Sequence, residues 1–323
     1  MKTISLKKQL ISSSILSEAF IKKFAIKAFV IFLSTLSLFS CKKNEPTQKL
    51  PTAQSLKNLF DANLNNIKQT ATFDAATTFT FTSSKGTEVV IDGTCLRKNG
   101  NPVTGNVQLE FVELYDRATM AITNKPTIGI NSLGEEEILE SGGEFNIKVM
   151  QDGVALTTTC NYTIDVPTSL TGGTKPDMLP FNGTVDGNGK LTWEVAPNAE
   201  LYVKTNPDKY AAILSNFNWF NCDKFYADPR PKTSISVLIP SGYANASTTF
   251  LSTNARPNSL GGIGGKYPIG LECNIIFVTE DNGNFRYAIK PLTLVNNQQV
   301  SFSISETTLA TAAQFKAALD ALP

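Results

Sequence analysis

Apolar and polar residues alternate in short runs along most of this chain. In the first half the runs are TTFTFTS (77–83), TEVVIDG (87–93), GNVQLEFVELY (105–115), GEFNIKVMQDGVAL (143–156) and TTTCNYTIDVP (157–167). In the second half they are GKLTWEV, LYVKT, KTSISVLIP, TTFLST, LECNIIFVTED, NFRYAIKPLTL and QQVSFSI. Period-two patterning puts one side of each segment in a core, and turn residues separate the segments. Asn282-Gly283 between two such runs is a hairpin signal. The period changes at the two ends. Leu56, Leu59, Phe60, Leu64 and Ile67 recur at helical spacing, so a short N-terminal helix is expected over 53–69. Thr311 followed by Gln314 reads as a capping box opening a C-terminal amphipathic helix, with Phe315, Ala318, Leu319 and Leu322 on one face. The expected fold is mainly β, with two antiparallel β-sandwich-like units. The segment 167–183, with three prolines, three glycines and no periodicity, reads as a linker. It separates an N-terminal helix plus β-sandwich domain (53–166) from a second β-rich domain with the C-terminal helix (184–323).

The densest aromatic stretch is NFNWFNCDKFYADPRPKT, at 216–233. Alternation places Trp219, Asn221, Asp223 and Phe225 on one strand face and Phe220, Cys222, Lys224 and Tyr226 on the other. Large aromatics on both faces predict a central strand with Trp219 and Cys222 buried and a polar partner for Asp223. The two prolines that follow cannot serve an interior ladder. The candidate ligand-binding rim is therefore Tyr226, Asp228 and Arg230.

The N-terminus has a different pattern. Six lysines precede the apolar run AFVIFLSTLSLFS, which is shorter than the roughly 20 residues a spanning helix needs. Residues 1–40 read as an export signal. The signal ends in LFSC, which resembles the lipobox of bacterial lipoproteins. That resemblance implies that Cys41 becomes the acylated mature N-terminus. Acyl chains contribute about 0.8 kcal/mol per buried CH₂, so several chains hold a protein firmly on a membrane. Residues 41–52 are polar, contain two prolines and read as a tether. Acidic residues directly after a lipidated Cys resemble a surface-display signal. Here Lys42 and Lys43 come first, leaving the periplasmic and surface leaflets open.

Composition removes several chemistries. The chain of 323 residues contains no histidine, which excludes Ser-His-Asp and Cys-His catalysis and His-ligated metal sites. No cysteine pair has CxxC spacing, and GGIGGK at 261–266 lacks the glycine spacing and hydroxyl of a P-loop. It reads as a turn or mobile loop. GEEEILES at 134–141 reads as a solvated loop or strand start. VDGNGK and TEDNGNF read as turns rather than calcium loops. No cofactor or metal is expected. Without residues 1–40, which hold six Lys and one Glu, 23 basic and 27 acidic residues remain, net −4. Nucleic acid is therefore not an expected partner. Cys95, Cys160, Cys222 and Cys273 allow three disulfide pairings, of which Cys95–Cys160 and Cys222–Cys273 are nearest in sequence. Buried free thiols are the alternative.

GNPVTGNVQLEF, SGGEF, WFNCDKF and IGLECNIIFVTEDNG resemble segments of uncharacterised exported lipoproteins of Bacteroidota that carry β-sandwich modules. The resemblance spans most of 70–305. It implies a β-rich lipoprotein of the cell envelope, held on the outer membrane, and it brings no catalytic residues. The expected function is a non-enzymatic structural or partner-binding envelope protein, with an envelope protein or a glycan as partner. A carbohydrate-binding lipoprotein is the alternative, resting on aromatic density. A carboxylate-dependent glycoside hydrolase is the third reading.

Overall fold

The computed structural model describes residues 50–205 and 208–323, and Leu50–Pro323 forms one compact unit. The export signal, Cys41 and most of the tether lie outside the described residues. Helix α1 (Ala53–Asn66) starts where Thr52 accepts a hydrogen bond from the Ser55 backbone and Ser55 answers at the Thr52 N–H. It buries Leu56 and Phe60.

The chain then builds twelve principal strands. These are β1 (Gln69–Asp74), β2 (Thr78–Thr82), β3 (Glu88–Asp92), β4 (Asn106–Leu114), β5 (Ile128–Ile130) and β6 (Glu136–Gln151), followed by β7 (Tyr162–Pro167), β8 (Leu179–Val185), β9 (Leu191–Val195), β10 (Glu200–Thr205), β11 (Asp208–Leu214) and β12 (Trp219–Phe225). The large sheet runs β1-β4-β6-β12-β8-β9-β5, and β5 also pairs with β6, so five strands close a circuit. The smaller sheet runs β10-β11-β7-β3-β2. Phe111, Phe145, Ile147 and Phe220 of the large sheet meet Val89, Ile164 and Tyr210 of the smaller one in the first core.

A second sandwich follows from β13 (Lys232–Leu238), β14 (Ser247–Thr253), β15 (Lys266–Pro268), β16 (Glu272–Asp281), β17 (Asn284–Thr293), β18 (Gln298–Ser301) and β19 (Thr308–Ala310). The sheet β14-β16-β17-β19 packs on β15-β13-β18 around Leu251, Ile275, Phe277 and Phe302. The β16–β17 hairpin turns at Asn282 and Gly283, both at positive φ, as an Asn-Gly hairpin turn requires. A third core joins the sandwiches. It gathers Leu56 and Phe60 of α1, Trp193 and Trp219 of the large sheet, Phe250 and Ile276 of the second sandwich, and Phe315 and Leu319 of the C-terminal helix. That helix (Ala312–Asp320) carries the expected Thr311–Gln314 capping box.

The mainly β architecture with helices at both ends is as patterned, but the chain divides elsewhere. β8 starts inside the expected linker and β9 to β12 lie beyond it, yet they complete the sheets of the first sandwich. The crossing between sandwiches is at 226–231, where YADPRP ends β12. The Pro- and Gly-rich segment 167–183 is a 3₁₀ turn (Thr168–Thr171) with buried Thr168 and Thr171, followed by the start of β8. Proline and glycine mark a break in a ladder, which is not the same as a domain boundary.

An unexpected helix, α2 (Arg117–Thr123), is capped by Asp116, which accepts from the Thr119 N–H at 2.7 Å, and all of it is buried. Arg117 donates to Ser252 Oγ and to the Leu322 and Pro323 carbonyls, closing off the C-terminal helix. With that helix labelled α3 (Ala312–Asp320), no helix among the described residues is long and apolar enough to cross a membrane.

Cys95 and Cys160 form a disulfide across 65 residues. Cys222 and Cys273 do not pair. Both are buried free thiols, Cys222 in the first core and Cys273 in the core of the second sandwich. Proximity in sequence misleads here because each strand face is committed to a different core. Burial pushes the Cys273 thiol up to about 12 and the Cys222 thiol well above its ordinary value, so both are poor nucleophiles. Replacing Cys95 and Cys160 with Ser is expected to lower the unfolding free energy by about 4 kcal/mol from loop entropy. Urea titrations with and without reductant check this. Cys222→Ser and Cys273→Ser should leave the reductant sensitivity intact.

Candidate functional site

The WFNCDKF strand, β12, lies between β6 and β8, the central place its two aromatic faces required. Its register with β6 shifts in the middle. Asn221 faces Glu144, whereas Asp223 faces Ser141, so Cys222 stands opposite both Gly142 and Gly143. This is a β-bulge, and it explains the SGGEF segment physically. A Cβ on Gly142 would sit 2.5 Å from the Cys222 carbonyl oxygen, and Gly143 adopts φ +122. Two glycines let the strands approach and bend, and the bend lets the two halves of β6 serve different neighbours.

The bulge interrupts the ladder, and side chains take up the freed backbone groups. Asp223 Oδ1 accepts from the Gly142 N–H at 3.2 Å, and Ser141 Oγ accepts from the Gly143 N–H at 3.0 Å. Asn221 Nδ2 donates to Asp223 Oδ2 at 2.8 Å. Asp223 thus has its polar partners, all of them buried with it. Glu144, fully buried on the same face, has no hydrogen-bond partner at either oxygen. The adjacent Trp193 Nε1–H donates instead to the Pro126 carbonyl at 3.1 Å. Burial first, and the neighbouring Asp223 next, push the Glu144 carboxyl well above the carboxylate range, and burial likewise raises Asp223. Lys125 is held down at about 8, chiefly by burial. Its ammonium donates to the Thr123 and Gly189 carbonyls and lies 5.9 Å from the Trp219 ring.

The aromatics close this region rather than open it. Trp193 and Trp219 meet edge-on with centroids 6.3 Å apart, both buried, and Phe225 packs edge-on against Phe181. No flat aromatic platform is presented to solvent at Trp193 or Trp219.

Of the expected rim, Tyr226, Asp228 and Arg230 do come together, but they mainly satisfy one another. Tyr226 Oη donates to Asp228 Oδ2 at 3.2 Å, and Arg230 grips both Asp228 oxygens at 2.6 to 3.1 Å. Those hydrogen bonds hold the Asp228 carboxyl far below its usual range. Only Tyr226 leads further, since the Arg256 guanidinium lies 5.0 Å from its ring centroid. Arg256, Lys175 and Lys224 surround one carboxylate, Glu140, at 3.2, 3.2 and 3.8 Å. Glu140, Lys175 and Arg256 line a surface cavity of about 470 Å³ together with Ser141, Asn258 and Ser259. No sequence motif marked this cluster. Its members come from β6, the 172–178 loop, β12 and the turn after β14, brought together by non-local pairing alone.

Other acid-rich and glycine-rich segments have structural work. Glu135 lies in the turn before β6, and Glu136 pairs with Lys190 at 2.8 Å. The GGIGG loop closes over Glu136: a Cβ on Gly264 would meet its carboxylate at 2.6 Å. These glycines serve close packing. Asp186 spends its side chain on the Asn188 and Lys190 N–H groups of its own turn.

No protein-family model matches the chain, and no curated protein matches its sequence.

Proposed function

We propose that this protein is a lipid-anchored component of the bacterial cell envelope that binds a partner and performs no chemistry of its own. The observation that carries the reading is Cys41, at the end of a basic and apolar export signal and followed by a polar tether that leads to a compact β body. The non-enzymatic part is supported by where the reactive groups sit. A glycosidase needs two carboxyls facing a cleft wide enough for substrate and water. Glu144 and Asp223 are instead sealed beside the bulge, and Cys222 and Cys273 are sealed in cores. The carbohydrate-binding alternative loses its aromatic platform, because Trp193 and Trp219 are interior. What remains for ligands is polar surface, and the Glu140 cavity is a strongly charged part of it.

The anchor is tested by expressing the full chain in a bacterium fed an alkyne fatty acid. The wild type should take up label and sediment with membranes. Cys41→Ser should lose the label entirely and appear in the soluble fraction. Equal labelling of the two proteins would remove Cys41 as the lipid site.

A further inference from the structure

The Glu140 cavity has a charge imbalance that its own structure does not use up. Three cations surround the Glu140 carboxylate, and two of them, Lys175 and Arg256, line the concavity with it, leaving one positive charge in excess on its wall. Buried or half-buried charges in structural networks are normally balanced, because each unpaired one forgoes hydration. Here the excess is held in place. Arg256 is braced by the Tyr226 ring at 5.0 Å and by its own donation to the Ala255 carbonyl at 2.7 Å. Its Nε–H is a buried donor without a hydrogen-bond partner, lying 3.2 Å from Glu140 Oε2 but out of line for a bond. Lys175 lies across the same opening, on the loop that starts at the 3₁₀ turn.

The rest of the lining tells what the anion would be attached to. Asn258 supplies an amide, and Ser259 a hydroxyl that accepts the Ser141 N–H and keeps its own proton to donate, while the Thr171 hydroxyl is spent on the Thr168 carbonyl. Leu170 and Pro257 supply an apolar edge, and Leu170 is exposed. A volume of about 470 Å³ lies within the range of small-molecule sites and is far larger than an inorganic anion needs. Polar groups that fix orientation, an apolar edge for C–H groups and excess positive charge together describe one ligand class. We infer that this cavity binds a sugar-sized, hydroxylated molecule carrying a carboxylate or a phosphate. Arg256 and Lys175 would pair with the anionic oxygens, and the Ser259 and Asn258 side of the cavity would take the hydroxyls. This inference rests on the partner-binding reading and gives it a ligand class.

Calorimetric titration of the full chain in detergent tests it, with D-glucuronate, D-glucose 6-phosphate, D-glucose and inorganic phosphate at matched ionic strength. One or both charged sugars should bind at least about tenfold more tightly than glucose and than phosphate, as expected for charge-assisted hydrogen bonds added to hydroxyl contacts. Which of the two binds distinguishes carboxylate from phosphate. Arg256→Gln and Lys175→Gln should each weaken that binding about tenfold or more. Glu140→Gln should tighten it, because it removes the one competing negative charge. A purely structural ion cluster gives no such opposition of sign. Lys204→Gln, whose partner Asp165 lies on the smaller sheet, should change nothing. Glucose binding as well as its charged derivatives, no binding of either charged sugar, or unchanged binding in the Arg256 and Lys175 variants would each overturn the inference. Thermal melts of each variant show whether a loss reflects unfolding. A chain that carries lipid on Cys41 yet binds none of these acids loses this site and keeps the anchored reading.

Discussion

Glu144→Gln will flatten the pH dependence of this protein's stability between about pH 5 and 8. The native Glu144 carboxyl is buried, without hydrogen bonds, and raised well above its ordinary value. In the unfolded chain the same group titrates near about 4.3. Above that pH the unfolded chain gives up a proton that the native protein keeps. The unfolded state then binds fewer protons, so the contribution of Glu144 to stability is fullest below about pH 4 and falls as pH climbs towards the native value. The slope reaches about 1.4 kcal/mol per pH unit for each such group, and Asp223 adds a second. Lys125 acts with the opposite sign. Its native value of about 8 lies below the roughly 10.4 of an unfolded lysine. Between those values the unfolded state binds more protons, so Lys125 returns stability only above pH 8. The window below pH 8 therefore isolates the two acids. Urea titrations at pH 5, 6, 7 and 8 should show the wild type losing stability steadily and the Glu144→Gln variant losing it less steeply. The amide brings donors to a place without acceptors, so its absolute stability is not the measure and the slope is the readout. Parallel pH curves for the two proteins would refute the assignment.

Trp193→Ala is expected to lower the unfolding free energy by about 3–5 kcal/mol, the range for removing a large buried aromatic. Trp193 is fully buried in the core that joins the two sandwiches, stacked edge-on with Trp219. Its loss opens a void on both sides at once. Trp193→Phe keeps most of the apolar contact but strips the Pro126 carbonyl of its donor, for about 1–3 kcal/mol. Chemical denaturation should rank the two variants in that order. If Trp193→Ala cost less than about 1 kcal/mol, the aromatic cluster would not be the structural core it is taken for.

The aromatic stretch shows how far local pattern reaches. Alternation alone placed Trp219 and Cys222 in the interior and required a partner at Asp223, because a strand with large aromatics on both faces has to pack on both sides. The same logic could not say what Cys222 faces. Its nearest free cysteine in sequence, Cys273, belongs to the core of the other sandwich. Nor could it read SGGEF as a bulge. Gly142 matters because the Cys222 carbonyl of a strand some 80 residues away presses against it, and Gly143 because the bulge sets it at positive φ against the Tyr115 and Phe145 rings. The same holds for the rim. Tyr226, Asp228 and Arg230 are close in sequence and found one another, whereas the cluster with unspent charge draws on Glu140, Lys175, Lys224 and Arg256, spread over more than a hundred residues.

By itself, the sequence determined the elements and their chemistry. Period-two runs made strands, an apolar stripe from Leu56 to Ile67 and the Thr311 cap made helices, Asn282-Gly283 made a hairpin, and the missing histidine removed whole classes of catalysis. These are consequences of a few neighbouring residues, and backbone geometry reads them directly. Only the tertiary structure decided which strands share a sheet, where one sandwich ends and the next begins, which cysteines meet, and which charges are left over. Those outcomes depend on pairings between distant segments. Strand edges offer the same N–H and C=O groups to any partner, so the choice among them is made by burying all three cores at once.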